Sequence, residues 1–209
     1  MAGSVPSSIT LPDASSAVPS DGRRARRHRS RDLAVDAVLD LLNDGIARPT
    51  AQQVAERSGV SLRSIFRIFE DVENLHATAA AKQQDRVRHL FVNVDPDGAL
   101  DDRVDAIARV TAGVYATVAP VRRAALRAAP GSDVLQAELD RARVWLKREI
   151  DRVFATELAG RDDDGITYAA VEAALSFEAW DQLRSGQRAS ATRTKAVTVR
   201  TVLALLQGS

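Results

Sequence analysis

A short run of hydroxyl and guanidinium side chains, suited to binding a nucleic acid, opens one segment of helical periodicity. The run consists of Ser61, Arg63, Ser64 and Arg67. The apolar residues between them recur at three- and four-residue steps, so they anchor the opposite face of the same helix; they are Leu62, Ile65, Phe66 and Phe69. Arginine can bind a guanine edge, and a helix N-terminus offers free backbone N–H groups to phosphates. The pattern therefore predicts a helix that can enter a major groove.

Two preceding helices and a tight turn would position this helix. Thr50 can cap a helix that ends near Arg57, and Ser61 can cap the next one. Between them, Ser58-Gly59-Val60 places glycine where a positive φ is needed. A first helix begins at Ser30 and buries the apolar stripe Leu33, Ala37, Val38, Leu41 and Leu42. The three helices predict a helix-turn-helix unit. The alternative is a helical hairpin that packs only against its own protein.

A basic segment precedes these helices. Residues 1–22 are rich in Ser, Pro, Ala and Gly without any period, which predicts disorder. Residues 1–29 carry a net charge of +3, residues 30–77 a net charge of −3, and residues 78–209 a net charge of +1. We therefore expect residues 1–29 to be a disordered arginine-rich arm that binds phosphates or a minor groove through Arg26, Arg27 and Arg29. The alternative is a solubilising tail.

The rest of the chain is predicted to be helical, with no pattern of paired strands. Helical periodicity covers residues 72–92, 100–119, 121–129, 132–158, 164–185 and 189–207, with a break expected at Pro120 and a cap at Ser132. The sequence thus predicts an all-α fold of about nine helices. Residues 30–77 would form a DNA-binding domain, and residues 78–209 would form a larger helical domain.

The segment from Ser30 to Leu75 resembles the tetracycline-repressor (TetR) family of bacterial transcriptional regulators. The similarity lies in residues 50–61, in Ile65-Phe66-Arg67-Ile68-Phe69 and in Asp71-Val72-Glu73-Asn74-Leu75, together with Gly45 at the end of the first helix. The sequence departs from the family twice, with Phe66 where a phosphate-binding tyrosine is usual and Val72 where a lysine is usual.

The resemblance implies a dimer that binds a palindromic operator in double-stranded DNA, because a single helix-turn-helix unit reads few base pairs. Arg63, Ser64 and Arg67 would face bases or nearby phosphates. Thr50, Ser61 and Arg31 would bind the DNA backbone, and Phe66 would lie at the same interface.

The resemblance also implies a pocket for a small molecule in the larger domain and a homodimer through the last two helices. The candidate pocket residues are Phe91, Tyr115, Trp145, Phe154, Tyr168, Phe177 and Trp180. Their aromatic character predicts an apolar or amphipathic effector that releases the protein from DNA. The alternative for each of them is an ordinary place in the core.

Other classes of function have little support in the sequence. The chain has no cysteine, only three histidines, and neither a catalytic motif nor a phosphate-binding loop, so we expect no enzyme activity, no metal and no cofactor. No run of about 18 apolar residues predicts a membrane span, and we expect a cytoplasmic protein. Two alternatives remain: a helical interaction protein whose helix-turn-helix binds a protein partner, and a helical-bundle enzyme.

Overall fold

The computed structural model describes residues 20–90, 94–159 and 165–208, and this part of the chain contains ten α-helices and no strand. The helices are α1 (Ser20–Asn43), α2 (Ala51–Ser58), α3 (Leu62–Phe69), α4 (Val72–Val87), α5 (Leu100–Ala128), α6 (Asp133–Val153), α7 (Ala155–Leu158), α8 (Ile166–Ala174), α9 (Phe177–Asp181) and α10 (Ala191–Gln207). A 3₁₀ turn at Arg88–Leu90 follows α4, and a π-helical turn at Gln182–Gly186 follows α9. The all-α prediction is confirmed.

The caps that define α2 and α3 are made by the residues that the sequence singled out. The Thr50 hydroxyl accepts a hydrogen bond from the Gln53 amide, and the Gln53 side chain accepts one from the Thr50 amide, which together form a capping box. Gly59 ends α2 with a φ of +70°. At the start of α3, the Ser61 hydroxyl accepts a hydrogen bond from the Ser64 amide. These local bonds set the two helices of the turn.

The first helix begins ten residues earlier than the sequence suggested. Residues 20–29 are helical, so the prediction of a disordered arm is wrong for them, whereas residues 1–19 lie outside the described residues. The segment 23–29 contains no Gly or Pro, and arginine and alanine are strong helix formers. Because extending an existing helix is far easier than nucleating one, α1 continues into the basic segment.

The N-terminal core is apolar throughout. It is formed by α1 to α4 with Val121 of α5, and its fully buried side chains include Val38, Leu39, Val54, Ile65 and Leu75. Leu33 was predicted to join this core but lies exposed on α1. Three aspartates are spaced four residues apart on α1, namely Asp32, Asp36 and Asp40. The Asp36 carboxylate forms ion pairs with Lys82 and Arg86 of α4.

A second core joins α5, α6, α8 and α10, and α4 connects the two regions. Leu75 and Ala79 of α4 belong to the N-terminal core, whereas Ala77 packs against Leu135 and Leu139 of α6. The proposed domain boundary between residues 77 and 78 falls inside this helix, so α4 is shared by both regions.

The larger region departs from the predicted helix boundaries. The segments 100–119 and 121–129 form one helix that runs through Pro120, because Ala119 and Val121 on either side are both buried. The segment 132–158 is divided at Phe154, and the segment 164–185 is divided between α8 and α9.

Helix α5 is the one helix in the described part of the chain that is long and apolar enough to cross a membrane by length and composition. It contacts α1, α4, α6, α9 and α10, as expected of a central core helix.

A buried ion pair holds α5 and α7 together. Arg103 binds Glu157 with both terminal nitrogens, at 2.9 Å from Nη1 and 2.5 Å from Nη2, and also donates to the carbonyls of Gly98 and Val153. The hydrogen bond from Arg103 holds the pKa of Glu157 below its ordinary value. This charged pair distinguishes the second region from the apolar N-terminal core.

Candidate nucleic-acid interface and internal cavity

Helix α3 presents a mixed basic and apolar face to solvent. Arg63 and Arg67 are exposed, and neither guanidinium group makes a hydrogen bond or an ion pair with residues 20–90, 94–159 or 165–208. Ile65 and Phe69 are buried as predicted, but Leu62 is 38% exposed and Phe66 is 44% exposed, so neither anchors the helix. A short helix has room for only one narrow buried stripe, and the two residues one turn apart fill it.

The hydroxyl groups at the helix starts are occupied by capping. Ser61 Oγ donates to Ser64 Oγ at 2.9 Å, and Thr50 Oγ1 lies 3.2 Å from the side-chain carbonyl oxygen of Gln53. Thr50 and Ser61 are both exposed, which leaves the first turns of α2 and α3 open to a ligand. Their predicted contacts with the DNA backbone, and that of Ser64, stay predictions.

The arginines of α1 fall into two groups. Arg26, Arg27 and Arg29 are exposed on the helical extension, beside Arg23 and Arg24. Arginines three and four residues apart on a helix repel one another weakly, and a polyanion would relieve this repulsion.

Arg31 belongs to the folded unit itself. Its Nη2 lies 3.4 Å from Thr78 Oγ1 of α4, and its Cζ lies 5.6 Å from the centre of the Phe69 ring of α3. A guanidinium over an aromatic face is held by a cation–π interaction. Arg31 therefore bridges α1, α3 and α4 at the base of the exposed α3 face.

A cavity of about 890 Å³, partly open to solvent, lies between α4, α5, α6, α8 and α9. Tyr115, Trp145 and Phe177 contribute to its wall, together with Val114 of α5. The volume falls within the range of about 300–1,000 Å³ that is usual for small-molecule pockets.

The other aromatic candidates do not line this cavity. Phe154 is fully buried in the second core, Tyr168 packs against that core, and Trp180 lies behind Tyr115 and Phe177. None of the three lines this cavity, and their assignment to a ligand pocket stays a prediction. Phe91 lies outside the described residues.

Tyr115 contributes a ring to the cavity, and the fold already occupies its hydroxyl. The hydroxyl donates to the Leu175 carbonyl at 2.8 Å, and burial raises the pKa of Tyr115. Its ring meets that of Phe177 edge-on, with 5.5 Å between the ring centres. Its side chain therefore links α5 to the end of α8.

Arg122, which no sequence pattern singled out, lies on the cavity wall. Its side chain is 13% exposed, and its Nη2 lies 3.8 Å from Glu178 Oε1. Burial lowers the pKa of Arg122. No local sequence signal marks this residue. Helix α5 and its neighbours contain many arginines, and only the packing of the helices shows which of them is shielded from solvent.

The described residues contain no cluster of three or more His, Asp or Glu side chains that could hold a metal ion. The features that could bind a partner are thus the α3 face, the basic extension of α1 and the cavity.

Three solved structures with a similar arrangement of helices are transcriptional regulators. A transcriptional regulator from Rhodococcus sp. Rha1 superposes with a TM-score of 0.62 at 17% identity, covering 87% of this chain and 96% of that one. A TetR transcriptional regulator from Agrobacterium tumefaciens gives 0.61 at 21% identity, covering 88% and 93%. A putative TetR-family regulator from Mesorhizobium loti gives 0.58 at 14% identity, covering 88% and 97%.

The chain therefore has a TetR-like fold over most of its length. No protein-family model matches the sequence, and no curated protein matches it either.

Proposed function

We propose that this protein is a DNA-binding transcriptional regulator that binds a palindromic operator as a homodimer and is released by a small molecule. The observation that carries the proposal is the exposed α3 face. Its two guanidinium groups, Arg63 and Arg67, are not engaged within the described structure, while the opposite side of the helix is buried. Such a helix, held by a tight turn on α2, has the features needed to read a major groove.

The basic part of α1 supports the same function. Five exposed arginines lie within one helical segment of about 10 Å, at about 1.5 Å per residue. A helix this basic would bind phosphates and release counterions, which makes affinity strongly dependent on salt. It would replace the contacts that the tyrosine and lysine usual in the family would make at Phe66 and Val72.

Helix α4 offers a route from the cavity to the DNA-binding face. Its residues Gln83, Gln84 and Val87 line the cavity, whereas its N-terminal half packs in the core beneath α3. A molecule in the cavity that displaces α4 would move the helix-turn-helix unit, so DNA and effector would weaken each other's binding.

Apolar side chains left at the surface of α8 and α10 support the dimer. Ile166 is 69% exposed and Val197 is 38% exposed, although both helices also bury residues in the second core. A partner copy would cover them and place two α3 helices about 34–36 Å apart, as paired half-sites require. Such a regulator would act in the cytoplasm.

Selection of bound sites from random DNA, followed by gel shifts on the selected site, tests the proposal. We expect a recurring palindrome. Arg63→Ala should cost about 1–3 kcal/mol at that site and little on random DNA, because a contact to a base edge carries sequence information. An absence of any recurring site at low salt would reject the proposal and favour a protein partner for the α3 face.

Deleting residues 1–29 tests the contribution of the basic helix. Affinity should fall and the dependence of log Kd on log salt should become shallower, by about 0.9 for each phosphate that the protein no longer neutralises. A suitable control replaces Arg88 with Gln, because this exposed arginine is already paired with Asp85 and lies on the 3₁₀ turn after α4. An unchanged salt slope in the deletion variant would assign the basic segment another role.

A further inference from the structure

The charges on the wall of the cavity are unequal. Six of the lining side chains are basic and three are acidic. Each acidic side chain lies beside a cation, in the pairs Glu138 with Arg141, Glu172 with Lys147 and Glu178 with Arg122. The wall therefore carries excess positive charge, which favours an anion in the cavity.

Arg122 differs from the other cations because its side chain is only 13% exposed and is incompletely paired. Its Nε is shielded from water and has no acceptor among the described residues. The distance of 3.8 Å to Glu178 is too long for a hydrogen bond, and the Glu178 side chain is 44% exposed, so solvent weakens this pair. A buried cation without a full partner is costly, and such groups are normally paired.

The surroundings of Arg122 are apolar. Its Cζ lies 5.7 Å from the centre of the Phe177 ring, and Tyr115, Val118 and Val121 line the wall nearby. A ligand beside Arg122 would thus meet an apolar surface next to one strong, poorly hydrated donor group.

We infer that the effector of the regulator proposed above is a small amphipathic anion, with a carboxylate or sulfonate paired to Arg122 and an apolar body against Tyr115, Trp145 and Phe177. This inference rests on the proposed function and adds the chemical class of the effector. A neutral ligand without an acceptor would leave the Arg122 Nε unsatisfied, and a cation would be repelled. A small turn of the guanidinium would present Nε and one terminal nitrogen to the two oxygens of the anionic group.

Two fluorescent probes that differ in one group test the inference on the full chain. 1-Anilinonaphthalene-8-sulfonate is an amphipathic anion, and N-phenyl-1-naphthylamine has the same rings without the sulfonate. In fluorescence titrations without DNA, the sulfonate should bind roughly tenfold more tightly or better, because a hydrogen bond to a charged group contributes about 1.5–3 kcal/mol. Equal affinity for the two probes would overturn the inference.

Three variants locate the effect. Arg122→Gln should lose roughly tenfold in affinity for the sulfonate and keep its affinity for the neutral probe, while Arg122→Lys should retain most of both. The matched control is Arg148→Gln, because Arg148 lines the same cavity but is exposed. An equal loss in the control would assign binding to diffuse charge. Parallel loss of both probes in the Arg122 variants would assign Arg122 to cavity shape. Either result would overturn the inference.

Gel shifts with the same preparations keep this inference separate from the proposed function. If the wild-type chain binds the operator but the Arg122 substitutions leave the affinity for both probes unchanged, the inference of an anionic effector is rejected and the proposed function stands. An absence of operator binding by the wild-type chain would reject the regulator, whatever the probes do. Release of the selected DNA by the sulfonate, and not by the neutral probe, would support both.

Discussion

The α3 face and the cavity use the same chemical group in opposite ways. Arg63 and Arg67 are solvated and unpaired within the described structure, and α3 is supported by α1, α2 and α4, its neighbours in the sequence. Arg122 is desolvated and supported by five helices that are distant in sequence. The first arrangement suits long-range attraction to a phosphate backbone, and the second suits selection of one compact anion. Burial, more than residue type, decides which partner a guanidinium prefers.

The largest expected effect separates the two regions by stability. Arg103→Ala should lower the free energy of unfolding by about 3–5 kcal/mol, because it removes the bidentate guanidinium that balances the charge of the largely buried Glu157 carboxylate. Denaturation in urea, followed by circular dichroism, measures this change. Among the described residues of α1 to α4, no charged side chain is buried.

The control for Arg103 is Arg109→Ala on the same helix. Arg109 lies 3.8 Å from Asp105 on the surface, and its removal should cost less than about 1 kcal/mol. Similar losses in the two variants would mean that the buried pair does not stabilise the larger region, and the contrast between the cores would fail.

A smaller effect concerns one substitution at two sites. Gly59→Ala should cost about 1–2 kcal/mol, because Gly59 has a φ of +70° and an added Cβ meets no atom within 4 Å, so that the cost is conformational alone. Gly113→Ala should instead stabilise the chain by about 0.5–1 kcal/mol, because Gly113 lies exposed inside α5 with equal space around it. Thermal unfolding and gel shifts would measure both variants, and only the first should weaken DNA binding. Stability changes of the same sign in both variants would contradict the requirement for a positive φ at Gly59 in the turn between α2 and α3.

The smallest effect distinguishes the two regions by pH. His76 of α4 makes a hydrogen bond of 3.0 Å to the Pro49 carbonyl, and burial lowers its pKa below the ordinary 6.5. The unfolded chain therefore binds a proton first, and stability falls as the pH drops from about 6.5 towards the lower folded value. The folded pKa of Glu157 is also lowered, so its contribution is present above about 4.5 and is lost as the pH falls through the folded value.

Melting temperatures between pH 8 and pH 3 would show both losses. His76→Gln should remove the loss at higher pH while keeping a donor for Pro49, and Glu157→Gln should remove the loss in acid. The slope from His76 cannot exceed about 1.4 kcal/mol per pH unit. An upper transition that persists in His76→Gln would exclude this histidine as its origin.

The same contrast explains what could be read from the sequence. The capping residues Thr50 and Ser61, the glycine at 59 and the buried pair Ile65 and Phe69 act within one or two turns of the chain, and the structure contains them as predicted. Short-range hydrogen bonds and periodicity are properties of a local segment, so a single sequence records them.

Features that depend on distant packing escaped prediction. Pro120 lies inside α5 because its neighbours are buried by other parts of the fold, Ala119 against Phe177 and Val121 in the N-terminal core. The aromatic candidates share the same residue type, and only the packed helices show that Trp145 reaches the cavity while Phe154 does not. The contacts of these residues with a ligand stay predictions.

Because α1 is one unbroken helix, the direction in which each of its arginines points is fixed relative to the buried apolar face that begins at Ala34. One alanine inserted after Ser30 would rotate every preceding side chain by about 100° around the axis and shift it by only about 1.5 Å. A flexible basic segment would keep its DNA affinity after that insertion, whereas a basic helix continuous with the fold would point its arginines in other directions. The insertion keeps the charge unchanged, so its effect on DNA affinity would distinguish arginines held by a flexible segment from arginines held in fixed directions by a helix.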